Sequence, residues 1–347
     1  MTRPRTSLAR GGKAKNELPR SLVALCAAGL DSVGFRRELR AELGRLLAFD
    51  AYCVNTADPE TLVVTSSIGD GLSTQAARRL FEIEEAGGDF NRLLTLAQGP
   101  CHVATLSRAT GGQLERSERM RELFLPLGWG DELRAALVVD GCCWGYLHLF
   151  REIQREPFSA ANLARVELAR PILAGALRAA CLVGERAALT NPPAVVMLDD
   201  AGEVVAESAS ARSWLDVFAG DVGGAVPHPV HALGSRLRRG SVSAATVARY
   251  KTPAGGWLAL HASRVNPGVA VMLGAARTGE LAPLLFLAQG LTPREREVGG
   301  LLLRGLSNDA IAASLGIALY TVKDHVKVIL EKTGTVSRTS FVARYAT

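Results

Sequence analysis

Leu22, Leu25, Leu39, Leu43, Leu46 and Leu47 recur at helical spacing, and Gly29 and Gly34 predict that this stretch divides into two helices. Short β-rich runs follow at 52–55 and 62–66. Two longer ones, 133–139 and 143–150, flank Asp140-Gly141, a pair suited to the positive φ angles of a two-residue hairpin. All four are expected in one antiparallel sheet. Helical segments are predicted over 74–85 and 116–124, and after Pro157 an amphipathic pattern capped by Ser159 runs towards residue 188.

A second α+β pattern begins after Asn191-Pro192-Pro193. It reads as a strand at 195–198, a turn at Asp200-Ala201-Gly202, a strand at 204–205 and a helix at 208–218, closed by strands at 247–250, 257–264 and 269–273. Residues 225–240 fit no single element. The Leu- and Ala-rich stretch 278–289, ending at Gly290, reads as a helical linker.

From Leu291 the signals sharpen. Thr292, Pro293 and Glu295 combine an N-cap, a proline at the first helical position and a glutamate three residues after the cap. Val298, Leu301, Leu302 and Leu303 carry that helix to Gly305. Ser307 caps a short second helix with Ile311, Ala312 and Leu315, ended by Gly316. A third, about 319–332, buries Val322, Val326, Ile329 and Leu330 and turns Lys323, Asp324 and Lys327 the other way. Gly334 ends it and Ser337 caps a fourth. Lysines at i and i+4 repel by a few tenths of a kcal/mol, so an anionic partner gives this face a purpose that solvation alone does not.

Composition adds scale. A chain of 347 residues, 48% hydrophobic, has material for two or three cores. The net charge of +6 is uneven: Arg3, Arg5, Arg10, Lys13, Lys15 and Arg20 stand against Glu17, so 1–20 are expected to form a disordered basic tail. That polar start is not a secretory signal, and the most apolar later stretch, 171–184, is cut by Arg178 and falls short of the roughly 20 residues of a span. A cytoplasmic, nucleoid-associated protein without a membrane anchor is expected.

Six cysteines without CxxC spacing read as free thiols. Cys101-His102 and Cys142-Cys143 are minor candidates for a redox or haem-sensing role. His228 and His231 lack further ligands for a metal, so no metal site is expected. Trp129, Trp144 and Trp257 are assigned to packing in or beside sensor cores. No P-loop, GxSxG, HExxH or kinase motif is present, so catalysis is not expected; the sequence leaves any cofactor unknown.

The element order over 21–188, with the stretch WGYLHLFREIQREPFSAANL (144–163), resembles the GAF sensory domain. Residues 189–276 resemble a small PAS-type domain, and 277–290 are the linker helix. Residues 291–347 resemble the LuxR-type helix-turn-helix through LTPREREV, GLSNDAIAASLGI, YTVKDHVKVILEKTG and SRTSFVAR. The implied fold class is multidomain α+β: a GAF-like antiparallel sheet with helices, a smaller PAS-like domain, and an all-α four-helix DNA-binding domain.

That resemblance implies a recognition helix in the major groove of double-stranded DNA. Lys323, Asp324 and Lys327 would face base edges; Thr321, Asn308 and Arg338 would lie near backbone phosphates. Ala318, where the family often has a capping serine, and Gly299-Gly300 in the first helix depart from the pattern and imply some lost helix stability. A homodimer is expected, held either through the last helix, about 338–345, near the two-fold axis, or through the sensor or linker. The implied protein is a sequence-specific transcription regulator. A small-molecule or protein effector would act at the GAF-like domain, residues 274–290 would couple it to DNA, and RNA polymerase is a further partner. The alternative is a signalling adaptor that binds a protein partner without specific DNA binding. An RNA-binding antiterminator would have only Tyr320, Phe341 and Tyr345 to stack on bases.

Overall fold

The computed structural model describes residues 17–70, 72–184, 189–218, 227–240 and 245–345. Most of the expected basic tail, 1–16, lies outside the described residues. Leu18, placed in that tail, packs against the first core, and helix α1 (Arg20–Ala27) begins where the tail was expected to end.

Gly29, at φ +66°, separates α1 from α2 (Ser32–Leu46), whereas Gly34 is simply part of α2. Strands β1 (Ala51–Ala57) and β2 (Val64–Gly69) follow, then α3 (Thr74–Ala86), α4 (Leu93–Gln98), β3 (Val103–Thr105) and α5 (Leu106–Ala109). The helix expected at 116–124 is instead a 3-10 turn, Leu114–Arg116, and a π turn, Met120–Phe124. In the latter the Leu125 N–H reaches back five residues to the Met120 carbonyl at 2.9 Å. β4 (Trp129–Val139) and β5 (Cys142–Glu152) meet through Asp140 at φ 50° and Gly141 at φ 73°, the hairpin that this pair predicts. α6 (Ala160–Ala180) starts on a capping box between Ser159 and Asn162 and ends at Ala180; of the expected continuation to 188, residues 185–188 lie outside the described residues.

The first sheet runs β2-β1-β5-β4-β3, each pair antiparallel. On one face the alternating positions Val54, Leu133, Ala135, Leu137, Leu147 and Leu149 share a core with α1, α2 and α6. The opposite face meets α3, α4 and the π turn, and it carries charge. Glu132 accepts from Arg119 Nε at 2.8 Å, Arg134 Nε at 2.7 Å and His148 Nδ1 at 3.1 Å, and Arg134 also reaches Glu84 at 2.7 Å. Burial pushes the Glu132 carboxyl up, but Arg119, Arg134 and His148 outweigh it and hold it well below the usual carboxylate range. Burial pushes His148 down, so its ring is neutral, with Nδ1–H donating to Glu132 and Nε2 accepting from Asn55 Nδ2 at 3.3 Å.

The second sheet comprises β6 (Ala194–Leu198), β7 (Val204–Glu207), β8 (Ala245–Lys251), β9 (Trp257–Arg264) and β10 (Val269–Ala275). Its order, β7-β6-β10-β9-β8, repeats the first sheet's path strand for strand. The helix expected at 208–218 is only α7 (Ala211–Leu215) with a 3-10 turn, Asp216–Phe218. The ambiguous stretch 225–240 provides α8 (His228–Arg238), while 219–226 lie outside the described residues. Trp214, Leu233, Leu237, Leu260 and Val271 close this core, and Val63, from the β1–β2 connection of the first sheet, is buried within it.

The expected linker is α9 (Thr278–Ala288), and it is more than a connector. Leu281, Leu284, Leu285 and Phe286 belong to the core of the terminal helices, and Ala288 to the first core. Those terminal helices are α10 (Pro293–Leu303), α11 (Asn308–Leu315), α12 (Leu319–Thr333) and α13 (Arg338–Tyr345). No helix among the described residues is long and apolar enough to cross a membrane.

Candidate nucleic-acid interface

The four terminal helices are set by their ends. Thr292 Oγ1 accepts from the Glu295 N–H at 3.3 Å, and the Glu295 carboxylate accepts from the Thr292 N–H at 2.8 Å, completing the capping box on α10. Lys332, at the far end of α12, donates to Glu295 at 2.7 Å and to the Gly290 carbonyl at 3.0 Å. Burial raises the Glu295 carboxyl, but the hydrogen bonds from Lys332 and Thr292 prevail and hold it below its ordinary value. α12 is thereby tied to the start of α10. Ser307 caps α11 through the Ala310 N–H at 3.2 Å, and Gly316 and Gly334, at φ 63° and 62°, end α11 and α12 in the left-handed region. Ala318 opens α12 with no side-chain cap.

Val322 and Ile329 are fully buried, with Val326 and Leu330 packed beside them. Lys323, Asp324 and Lys327 are exposed on the opposite stripe, as the pattern predicts, and no hydrogen bond or ion pair engages them among the described residues. Tyr320 lies three residues before Lys323 on the same stripe and is 74% exposed. Sequence alone marks Tyr320 only as a stacking aromatic for RNA; its i, i+3, i+7 relation to Lys323 and Lys327 is the signal that places it on this face.

The three residues expected near phosphates each occupy the first turn of a helix: Asn308 in α11, Thr321 in α12 and Arg338 in α13. Unsatisfied N–H groups and the positive end of the helix dipole make such turns suited to anions. All three are half-buried. Arg338 donates to the Leu306 carbonyl, which brings the start of α13 beside the turn leading into Asn308.

The histidine pair, the cysteines and the three tryptophans singled out in the sequence lie outside this face. His228 stacks on Phe81 with ring centroids 3.5 Å apart, and no metal-binding cluster occurs among the described residues. All six cysteines are free. Burial pushes the Cys26 and Cys143 thiols up to about 11 and those of Cys53 and Cys181 to about 12, which disfavours thiolate chemistry. Trp129 on β4 and Trp144 on β5 are buried in hydrophobic clusters on the first sheet, but Trp257 packs into the core shared by α9 and the terminal helices.

Residues 289–345 match the family described as "Bacterial regulatory proteins, luxR family". The monoamine regulon transcriptional regulator of Klebsiella aerogenes is 48% identical over 54 residues, covering 16% of this chain and 24% of that protein. The transcriptional regulatory protein MctR of Rhizobium johnstonii is 45% identical over 56 residues, 16% of this chain and 26% of that protein. The chain thus spans about a quarter of the length of these curated relatives. Among solved structures, Escherichia coli SdiA is 12% identical, covers 94% of each chain and has a TM-score of 0.34, which assigns neither N-terminal unit to a family. The chain ends in a LuxR-family helix-turn-helix domain.

Proposed function

We propose that this protein is a sequence-specific transcription regulator whose two N-terminal α+β domains control the LuxR-family domain. The observation that carries the reading is the exposed stripe of α12, where Lys323, Asp324 and Lys327 have no partner among the described residues while the opposite stripe is packed into a core. Lysine donates to guanine O6 and N7 and aspartate accepts from cytosine N4, so these three suit base edges in the major groove. Asn308, Thr321 and Arg338 suit phosphates from their helix starts. Tyr320 joins the same face.

The shared strand order of the two sheets supports a GAF-like first domain and a PAS-like second one. A homodimer, an effector bound by the N-terminal domains, a role beside RNA polymerase and a cytoplasmic location belong to this reading. That two relatives of the terminal domain are transcriptional regulators supports it.

The test is selection of genomic fragments by the full-length protein at two salt concentrations, beside Lys323→Ala/Lys327→Ala. The expected result is a set of enriched sites lost in the double variant, with the salt-sensitive, sequence-independent binding largely kept because the phosphate contacts of Asn308, Thr321 and Arg338 remain. Absence of sequence-selective enrichment by the unaltered protein would overturn the reading and favour the adaptor.

A further inference from the structure

Tyr320 is 74% exposed, and no other Phe, Tyr or Trp among the described residues stands so far into solvent. Its hydroxyl has no hydrogen-bond partner and its ring no aromatic or cationic neighbour among those residues. An aromatic ring carries roughly 150 Å² or more of surface that stabilises when buried. Here Val322 and Ile329 of the same helix are fully buried while the larger ring of Tyr320 is left outside.

The helical repeat fixes where that ring points. At about 100° per residue, Tyr320 lies within roughly 20° of Lys327, 40° of Asp324 and 60° of Lys323 around the α12 axis. Buried Ile329 is on the diametrically opposite side, and Thr321, assigned to the backbone of DNA, is turned about 100° away. The ring therefore projects from the middle of the α12 stripe rather than from its flank, and from the first turn of the helix.

In duplex DNA the faces of the bases cover one another, so a ring entering the major groove meets base edges. Those edges present hydrogen-bonding atoms and one apolar group, the C5 methyl of thymine. Lysine with guanine and aspartate with cytosine both read G·C pairs, which leaves the charged residues of the stripe with nothing that selects an A·T pair. We infer that Tyr320 is the thymine-reading residue of α12, its ring packed on the C5 methyl of a thymine at one end of the bases that Lys323, Asp324 and Lys327 cover. The inference rests on the regulator reading and adds an A·T pair to the G·C preference of the other three.

The probe is the duplex most enriched by the full-length protein in genomic selection, with each thymine replaced in turn by deoxyuridine, which removes the methyl and keeps the pairing edge. A buried methyl is worth about four-fold in affinity, and one such replacement is expected to weaken the unaltered protein by about that factor. Tyr320→Phe, which keeps the ring, is expected to respond alike. Tyr320→Ala is expected to bind the thymine duplex at least about four-fold more weakly and to be indifferent to that deoxyuridine. A selected site without thymine, a deoxyuridine effect that persists in Tyr320→Ala, or a loss in Tyr320→Phe equal to that in Tyr320→Ala, the mark of a hydroxyl on phosphate, would each overturn the inference and leave the regulator reading standing. Tighter, Tyr320-dependent binding of the unpaired strand would overturn it in favour of a ring stacked on an exposed base. Absence of any enriched site for the unaltered protein removes the regulator reading and this inference together.

Discussion

Arg249 and Asp58 form a bidentate ion pair across the boundary between the two sheets, Nε to Oδ2 at 2.8 Å and Nη2 to Oδ1 at 3.0 Å. The side chains are 3% and 0% exposed. Arg249 also donates to the Glu280 carbonyl of α9 at 3.3 Å, so one guanidinium joins three units. Removing one partner from a buried pair strands the other charge, at about 3–5 kcal/mol. Arg249→Ala is therefore expected to lower the thermal unfolding midpoint sharply, and Arg249→Lys, which keeps a cation beside Asp58, to recover part of the loss. A single variant that melts with the unaltered protein would show that the pair holds nothing together.

Gly299 and Gly300 are adjacent yet differ in their surroundings. A Cβ on Gly299 would stand 3.1 Å from the Phe286 ring, whereas one on Gly300 meets nothing within 4 Å. The sequence predicts that both weaken α10. The contact gives Gly299 a packing role, since Phe286 also stacks with Phe341 at 5.7 Å between centroids. Gly300→Ala is expected to stabilise by about 0.5–1 kcal/mol, and Gly299→Val to destabilise by about 1–3 kcal/mol through overpacking. Denaturant titration of both variants checks the opposite signs; equal effects would refute the distinction.

Ala318 has the extended backbone of an N-cap, φ -67° and ψ 145°, without a side chain to accept a hydrogen bond. Ala318→Ser is expected to stabilise α12 by about 0.5–2 kcal/mol. Hydrogen exchange at the first turn of α12 reads this directly, and unchanged protection there would count against it.

His148 sets a pH dependence. Burial lowers its folded pKa below the ordinary 6.5, so the neutral ring contributes its full stability above that value. As pH falls through 6.5 the unfolded chain takes up a proton that the folded one refuses, and stability declines by up to about 1.4 kcal/mol per pH unit until the folded pKa is passed. Melting curves between about pH 7 and pH 5 are expected to slope less in His148→Gln. An unaltered slope would place the titration elsewhere.

Helix ends and the hairpin are legible in the sequence because their chemistry is local: Thr292 with Glu295, Ser159, and Asp140-Gly141 act within a few residues. The α12 stripe is legible for the same reason. The charged cluster around Glu132 is not, since Glu84, Arg119 and His148 join it only after the sheet and its covering turns assemble. The 116–124 segment reads as an α-helix because its apolar residues have helical spacing, which does not distinguish an i to i+5 turn. Val63 and Trp257 each pack into a neighbouring unit's core, and no periodicity in either segment specifies such a destination.

Because α9 lends side chains to the terminal core and Ala288 to the first, it cannot swing like a tether on a hinge. Any reorientation of the helices after Leu291 must slide or rotate packed surfaces in steps set by side-chain interdigitation. The molecule is geared at this point, and a shift of one tooth in α9 displaces both cores it meshes with.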